Sequence, residues 1–231
     1  MKKRLIALSA SFIAAIAMMS FLAPGFAFAE SADFSGKTVT IYRENGLENV
    51  ADEVSDAFSD PHVDRVLVFD ARSVGLRDAM KDESVLPDQG AISPRNPNFY
   101  AKNVRYAGTS TGSRVLAKAS GRPGMTISIS KTVSVSNSYS CAAAVSTESL
   151  SSTLGFSVTG TESISVTGSD KVPQTHNSKN VSSMTLIAYP LFDNYSYEVH
   201  IRSSAVQNTL VGRGTASRAV GVDFRRTYQY S

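Results

Sequence analysis

Polar and apolar residues alternate strictly along two segments of the chain. Residues 126–140 carry a serine or threonine at every second position, and residues 156–167 repeat the pattern. Because successive side chains of a strand point to opposite faces, each segment has one hydroxyl face and one mainly apolar face. A period of two predicts β-strands. The apolar positions that we expect to form a core face or a membrane-facing surface are Ile127, Ile129, Val133, Val135, Val158, Ile164 and Val166.

Each apolar face also carries one charge, Lys131 on the first segment and Glu162 on the second. An antiparallel pairing with Lys131 opposite Glu162 sets Ile129 opposite Ile164 and pairs hydroxyls with hydroxyls on the other face. Cross-strand pairs of this kind contribute roughly 0.2–1 kcal/mol each, and a slip of one residue would mix the two faces. The pattern therefore predicts a hairpin in which Lys131 and Glu162 fix the register.

The remainder of the chain divides into a short mixed part and a long β-rich part. Residues 37–69 predict a strand, a helix and a second strand, and Asn45 with Glu48 matches a helix capping box. Four apolar residues at spacings of three and four form one helical stripe: Leu47, Val50, Val54 and Phe58. From Phe99 onward, β-rich runs separated by turn residues predict antiparallel strands. The predicted fold is mostly β, an elongated twisted antiparallel sheet or sandwich with a small N-terminal α+β segment.

Three regions follow from composition. Residues 1–29 read as a signal peptide, with a basic start, an apolar run over 5–22 and the small residues of Ala27-Phe28-Ala29. Cleavage after Ala29 predicts a secreted, extracellular protein. Residues 30–100 form an acidic α+β segment, and residues 101–231 form an antiparallel β domain.

The two parts that follow the signal peptide carry opposite charge. Residues 30–100 hold 14 acids and 7 bases, and residues 101–231 hold 6 acids and 13 bases. This distribution argues against a nucleic-acid partner and predicts that the two parts attract each other. The single cysteine, Cys141, cannot form an internal disulfide and stands among small residues, which is typical of a buried thiol.

The alternating segments "TISISKTVSVSNSYS" and "GFSVTGTESISVTGSDKVP", followed by "MTLIAYPLFDNYSYEV", resemble small secreted bacterial proteins of unknown function. More remotely, they are similar to the aerolysin/ETX–MTX2 class of β-pore-forming toxins. The resemblance covers about residues 125–199 and implies oligomerisation and a hairpin around 125–167 that inserts into a membrane. The chain departs from that class over 141–155, a short stretch with Ala142-Ala143-Ala144-Val145 in place of a long alternating loop.

Lys131 weighs against insertion of the two strands as they stand. A lysine that faces lipid near the bilayer midplane costs about 2–4 kcal/mol. At the edge of a covered face in a soluble sheet, the same side chain can extend to water. A soluble sheet with one solvent-exposed face is therefore the favoured interpretation of the alternation.

Catalytic patterns are weak. Residues 108–112 read G-x-S-x-G around Ser110, with Asp193 and His200 following in hydrolase order, but a strand is predicted where a nucleophile elbow needs a helix. The three histidines show no metal-ligand spacing, and we predict no cofactor, metal or small-molecule substrate. The aromatic residues that could stack on a sugar are Tyr189, Tyr195 and Tyr197.

These observations favour a secreted, non-enzymatic β-rich protein that interacts with a cell surface, matrix or membrane. The first alternative is an aerolysin-like pore-forming protein that oligomerises and inserts the alternating hairpin. The second alternative is a secreted serine hydrolase, for which the sequence offers no convergent acid, base and nucleophile.

Overall fold

The computed structural model describes residues 37–43, 47, 50–79, 99–142, 145–201 and 209–231. The predicted signal peptide, residues 1–29, lies outside the described residues. The elements in chain order are β1 (Lys37–Arg43), α1 (Ala51–Ala57), β2 (Val63–Asp70), α2 (Arg72–Ala79), β3 (Phe99–Thr111), β4 (Ala117–Gly121), β5 (Thr126–Ser136), β6 (Ser138–Cys141), α3 (Thr147–Leu154), β7 (Thr161–Lys171), β8 (Thr175–His176), β9 (Lys179–Ile201) and β10 (Thr209–Tyr230). The prediction of a mostly β, largely antiparallel fold is confirmed.

Strands β9 and β10 form the centre of an eight-stranded sheet and pair with each other along almost their whole length. With 23 and 22 residues at about 3.3 Å each, both strands reach roughly 70 Å. Strand β9 runs through Pro190 without a break. Pro190 lies where the neighbour of β9 changes from β4 to β3, a position at which a missing N–H donor is tolerated.

The N-terminal α+β segment belongs to the same sheet. Strand β2 pairs antiparallel with β10, and β1 pairs parallel with β2 across α1. Two of the ion pairs at this junction run opposite to the charge bias of the two parts, and the predicted attraction between the parts stays a prediction. Arg65 binds Asp223 at 2.9 Å and Arg77 binds Asp193 at 2.6 Å, so the base comes from the acidic part.

Two hydrophobic cores lie on opposite faces of the sheet. Strand β9 keeps a regular register over most of its length, so its even- and odd-numbered residues stay on opposite faces. Even-numbered residues such as Met184 and Ala188 pack in the first core, together with α1, β5 and β7. Odd-numbered residues such as Tyr195 and Val199 pack in the second core, together with α3. We call these two surfaces of the sheet the hairpin face and the helix face.

Strands β5 and β7 pair with each other as a separate two-stranded sheet, the hairpin, which covers part of the hairpin face. Six of the predicted apolar residues are buried in the first core: Ile127, Ile129, Val133, Val135, Ile164 and Val166. Val158 is also buried, but in the second core, because residues 156–160 form a loop rather than the start of β7. The serines and threonines of β5 point to solvent.

The predicted pairing of Lys131 with Glu162 is wrong. Lys131 lies opposite Val166, and Glu162 lies opposite Val135, a shift of four residues from the predicted register. The shift is even, so hydroxyls still face hydroxyls. The physical reason is that the inner face of the hairpin lies on the sheet, where Glu162 accepts a hydrogen bond from Arg218 Nε at 3.3 Å. Lys131 is exposed and needs no partner across the hairpin.

Helix α1 carries the predicted apolar stripe but begins later than predicted. Leu47, Val50, Val54 and Phe58 are all buried in the first core. The helix starts at Ala51 with Val50 as its N-cap residue and without a side-chain cap. The predicted capping box, at residues 45 and 48, precedes this start and lies outside the described residues. None of the described helices is long and apolar enough to cross a lipid bilayer.

Candidate functional site

A bulge in β3 creates an irregular place on the hairpin face. Three residue steps from Lys102 to Arg105 pair with two steps of β9, from Glu198 to Ser196. Within the bulge, Asn103 has a φ of 53°. Asparagine tolerates this left-handed conformation because its short polar side chain can bond locally. Bulges redirect side chains and are frequent beside functional sites.

A cleft of about 530 Å³ opens at this bulge, between strands β3, β9, β10 and β6. Its volume lies within the roughly 300–1,000 Å³ that is usual for small-ligand sites. We call it the polar cleft. Its lining consists of Asn103, Arg105, Ser140, Ser196, Tyr197, Glu198, Arg213, Gly214 and Thr215.

Glu198 is the acidic centre of the polar cleft. Its carboxylate accepts hydrogen bonds from Asn103 Nδ2 at 2.7 Å and from Arg213 Nη2 at 3.4 Å, and His200 Nε2 lies 3.3 Å away. The hydrogen bonds from Asn103 and His200 are the main causes that lower the pKa of Glu198 from its ordinary value. The carboxylate therefore stays ionised and can only accept hydrogen bonds.

Basic residues outnumber this acid on the same face. Lys102 and Arg213 lie opposite Glu198 on its two neighbouring strands, and Arg105 lies opposite the next inward-facing position of β9, Ser196. Directly opposite residues share a face of the sheet. Three bases thus lie around one acid on this face of the sheet.

The polar cleft lies on the part of the hairpin face that the hairpin leaves uncovered. Glu198 and Ser196 continue the even-numbered series of β9 that begins under the hairpin at Met184 and Ala188. The helix face behind the cleft is covered by α3, whose Leu150 and other apolar residues form the second core. The cleft floor is therefore a strand held by packing on its opposite side.

Two ion pairs fasten the hairpin to the sheet. Asp170 of β7 is 2% exposed, and its two carboxylate oxygens accept hydrogen bonds from Arg226 at 2.6 and 2.7 Å. Nearer the other end of β7, Glu162 binds Arg218 at 3.3 Å. Both acids lie on the mainly apolar face of the hairpin, which meets the sheet.

Of the three tyrosines predicted to bind sugars, two are buried and this prediction is wrong for them. Tyr195 is 0% and Tyr197 2% exposed, because both lie on the helix face under α3, and burial raises the pKa of both hydroxyls. Tyr197 reaches the edge of the polar cleft, where its hydroxyl donates to the Ser140 carbonyl at 3.1 Å. Tyr189 is half-buried, with the Arg225 guanidinium 5.0 Å from its ring centre.

The residues of the weak hydrolase pattern do not come together. Ser110 lies within β3 opposite Phe192, eight residues before His200 along β9, which corresponds to about 26 Å. Asp193 is fully buried, where it accepts hydrogen bonds from Arg77 at 2.6 Å and from Thr109 at 3.0 Å. The three residues therefore do not form a triad.

Within the described parts of the chain, no group of three or more histidine, cysteine, aspartate or glutamate residues is placed to hold a metal ion. Cys141 is half-buried at the end of β6 and packs against the second core.

The residues of the polar cleft could not be identified from the sequence. Arg105, Glu198 and Arg213 come from three strands, and each looks like an ordinary solvent-facing position in its own strand. Only Asn103 carries a local signal, because an asparagine inside a β-rich run is suited to a bulge. A cleft assembled by pairing strands distant in sequence leaves no spacing to recognise.

No protein-family model matches the chain. No curated protein matches it either. Among solved structures, the chain is similar to a "putative pore-forming toxin" from Bacteroides vulgatus, with a TM-score of 0.31 and 9% sequence identity. The similarity covers 58% of this chain and 57% of the other, so the chain spans less than two thirds of that protein. A likeness of this degree is remote and defines neither the family nor the activity of this chain.

Proposed function

We propose that the protein is secreted, is not an enzyme and binds an extracellular surface through the polar cleft. One observation carries the proposal: a concave site on paired strands, which the hairpin leaves uncovered and which is lined by guanidinium, amide, carboxylate and hydroxyl groups. Such groups form directional hydrogen bonds with the polar groups of a surface ligand. Because they stand on paired strands rather than on loops, little ordering is needed when the ligand binds.

The described chemistry supports binding rather than turnover. Glu198 is held ionised by its hydrogen-bond donors, so it is a weak base and cannot act as an acid near neutral pH. The serine of the hydrolase pattern, Ser110, donates nothing to a histidine and instead accepts a hydrogen bond from Asn194 at 2.9 Å. These features support the proposed absence of catalysis.

The test is retention of the purified mature chain, residues 30–231, on bacterial and animal cells in a co-sedimentation assay. We expect retention that falls roughly tenfold or more in Arg213→Ala, because a hydrogen bond to a charged group contributes about 1.5–3 kcal/mol. Arg213 is 75% exposed, so its loss leaves the fold intact. Arg122→Ala removes the same charge from the exposed β4–β5 turn and serves as the matched control. Equal retention of the Arg213 variant and the wild type, or no retention on any cell, contradicts the proposal.

A second candidate function is pore formation by the hairpin. It is favoured by the outer edges of β5 and β7, which pair with no other strand in the described part of the chain. Unpaired edges can add strands from another chain, as assembly into a ring of hairpins would need.

The contacts of the hairpin weigh against this candidate. Its release would separate Asp170 from Arg226, and breaking a buried ion pair costs about 3–5 kcal/mol when one charge stays buried. A released hairpin would also carry Lys131, Glu162 and Asp170 on the face offered to lipid. Release of a trapped dye from vesicles of phosphatidylcholine and phosphatidylglycerol would support pore formation, and we expect none.

A further inference from the structure

We infer that the polar cleft takes an acidic saccharide, that is, a hydroxylated ring that carries one carboxylate. This inference rests on the proposed function, since it names the ligand class of the same site.

The bases of the cleft select a negatively charged group. Arg105 and Arg213 line it, and Lys102 lies opposite Glu198 on the same face. An arginine side chain presents a planar set of N–H donors that matches a carboxylate with two parallel hydrogen bonds. Arg213 is the more accessible of the partners of Glu198, and its guanidinium stands at the rim where a carboxylate can approach from solvent.

Glu198 restricts which anion is accepted. It lies 3.4 Å from Arg213, so an anion bound to that arginine comes close to a second negative charge. Repulsion between like charges grows with the charge of the ligand, and a phosphate dianion is therefore disfavoured relative to a carboxylate. As an ionised acceptor, Glu198 instead suits a ligand that brings hydroxyl donors beside its own carboxylate.

The remaining walls provide further partners for hydroxyl groups. Ser140, Ser196 and Thr215 contribute side-chain hydroxyls from three different strands, each able to donate and accept. Asn103 and Glu198 already hold each other at 2.7 Å, so the acceptor is oriented before the ligand arrives. A sugar acid combines the carboxylate and the neighbouring hydroxyls that this arrangement matches.

Isothermal titration calorimetry on residues 30–231 tests the inference with three kinds of probe. The first is an acidic oligosaccharide, in a glucuronate-containing and a galacturonate form. The second is each oligosaccharide after reduction of its carboxylates to primary alcohols. The third is inorganic phosphate. We expect the acidic forms to bind at least about tenfold more tightly than the reduced forms, and phosphate to bind more weakly than either acidic form.

Two variants assign the binding to the cleft. Arg213→Ala should lower the affinity for the acidic oligosaccharide by about tenfold or more, whereas Arg122→Ala should leave it unchanged. Glu198→Gln should strengthen phosphate binding more than saccharide binding, because the lost repulsion is larger for a dianion and because an amide is a weaker acceptor than a carboxylate for the hydroxyls of the sugar. Circular dichroism confirms that each variant is folded.

Each outcome has one meaning. Equal binding of acidic and reduced oligosaccharides makes the ligand a neutral sugar, and phosphate binding that equals or exceeds the acidic sugars makes the site a simple anion site; either overturns the inference. If neither the glucuronate-containing nor the galacturonate oligosaccharide binds, the inference is overturned as well. If cells retain the protein through Arg213 while the acidic sugars fail, the surface-binding function stands and only the ligand class is wrong.

Discussion

Asp170 and Arg226 show how strongly single residues decide the layering of this protein. Arg226 is 7% exposed, and besides Asp170 it donates to the Val63 carbonyl at 3.0 Å and to the Phe58 carbonyl. Its guanidinium also lies 4.3 Å from the Phe58 ring centre. One buried cation thus joins β10 to β7, to β2 and to the residue after α1.

We predict that Asp170→Ala lowers the free energy of unfolding by about 3–5 kcal/mol, because it leaves Arg226 buried without its counter-charge. Urea unfolding followed by circular dichroism measures the change. Asp56→Ala, at an exposed position of α1, is the control and should change stability by less than about 0.5 kcal/mol. A loss below about 1 kcal/mol for Asp170→Ala would show that the pair does not hold the hairpin on the sheet.

At the scale of elements, the hairpin obtains its register from the surface it covers. Its two strands alternate so regularly that several even-numbered shifts keep hydroxyls opposite hydroxyls. The fit of the inner face to the sheet then selects one of them, with Glu162 close to Arg218 and Lys131 in solvent. Lys131 and Glu162, which looked complementary in the sequence, therefore do not pair with each other: Glu162 pairs with Arg218 of the sheet, and Lys131 extends into solvent.

A double-mutant cycle distinguishes the two registers. Alanine substitutions of Glu162 and Arg218 should show a coupling of about 0.5–1 kcal/mol, as expected for a partly exposed ion pair. The same cycle on Glu162 and Lys131 should show no coupling above about 0.3 kcal/mol, since the two residues are not opposite each other. A larger coupling for Glu162 with Lys131 would restore the register predicted from the sequence.

Local sequence patterns predicted the strands and helices and their buried faces better than they predicted which strands pair with each other. The alternation identified both faces of the hairpin, and the stripe from Leu47 to Phe58 identified the buried side of α1. The register and the polar cleft were missed for one reason. Both depend on which distant strands become neighbours, and the residues that meet there, such as Glu162 with Arg218, are far apart in the sequence.

At the scale of the whole molecule, two long strands carry a core on each face, and tyrosines lie within or beside these cores. Burial raises the pKa of Tyr195 and Tyr197, and it raises the pKa of Tyr228 from 10.0 to about 12. The ring of Tyr228 stacks on His176 at 3.9 Å, and its hydroxyl has no hydrogen-bond partner among the described residues. These side chains favour the neutral form in the folded protein.

Alkaline pH should therefore destabilise the fold. Above pH 10 the unfolded chain loses tyrosine protons that the folded chain keeps, so the free energy of unfolding falls as the pH rises from about 10 to 12. Urea midpoints at pH 9 and 11, with tyrosinate absorbance at 295 nm, measure the effect. Tyr228→Phe should reduce the fall, and Tyr139→Phe, at a partly exposed site, should not. A midpoint that does not change between the two pH values would contradict the prediction.

We propose that the protein binds its surface through the polar cleft while the hairpin stays on the sheet. A disulfide between α1 and β7 can hold the hairpin there, because a Cβ atom at Gly168 would lie 3.3 Å from Val54 Cγ1. The same atom would lie 2.8 Å from Phe224 Cε1, so the Phe224 ring must shift to admit it. The variant combines Val54→Cys, Gly168→Cys and Cys141→Ser. Its reduced form is the matched control for any strain that the new side chains introduce.

The most direct measurement is the retention of this variant on a cell surface that holds the wild type, in its oxidised and its reduced form. We predict equal retention of the two forms, with loss of retention on addition of Arg213→Ala in both. Retention that appears only after reduction would contradict it, because the hairpin would then have to leave the sheet for the protein to act.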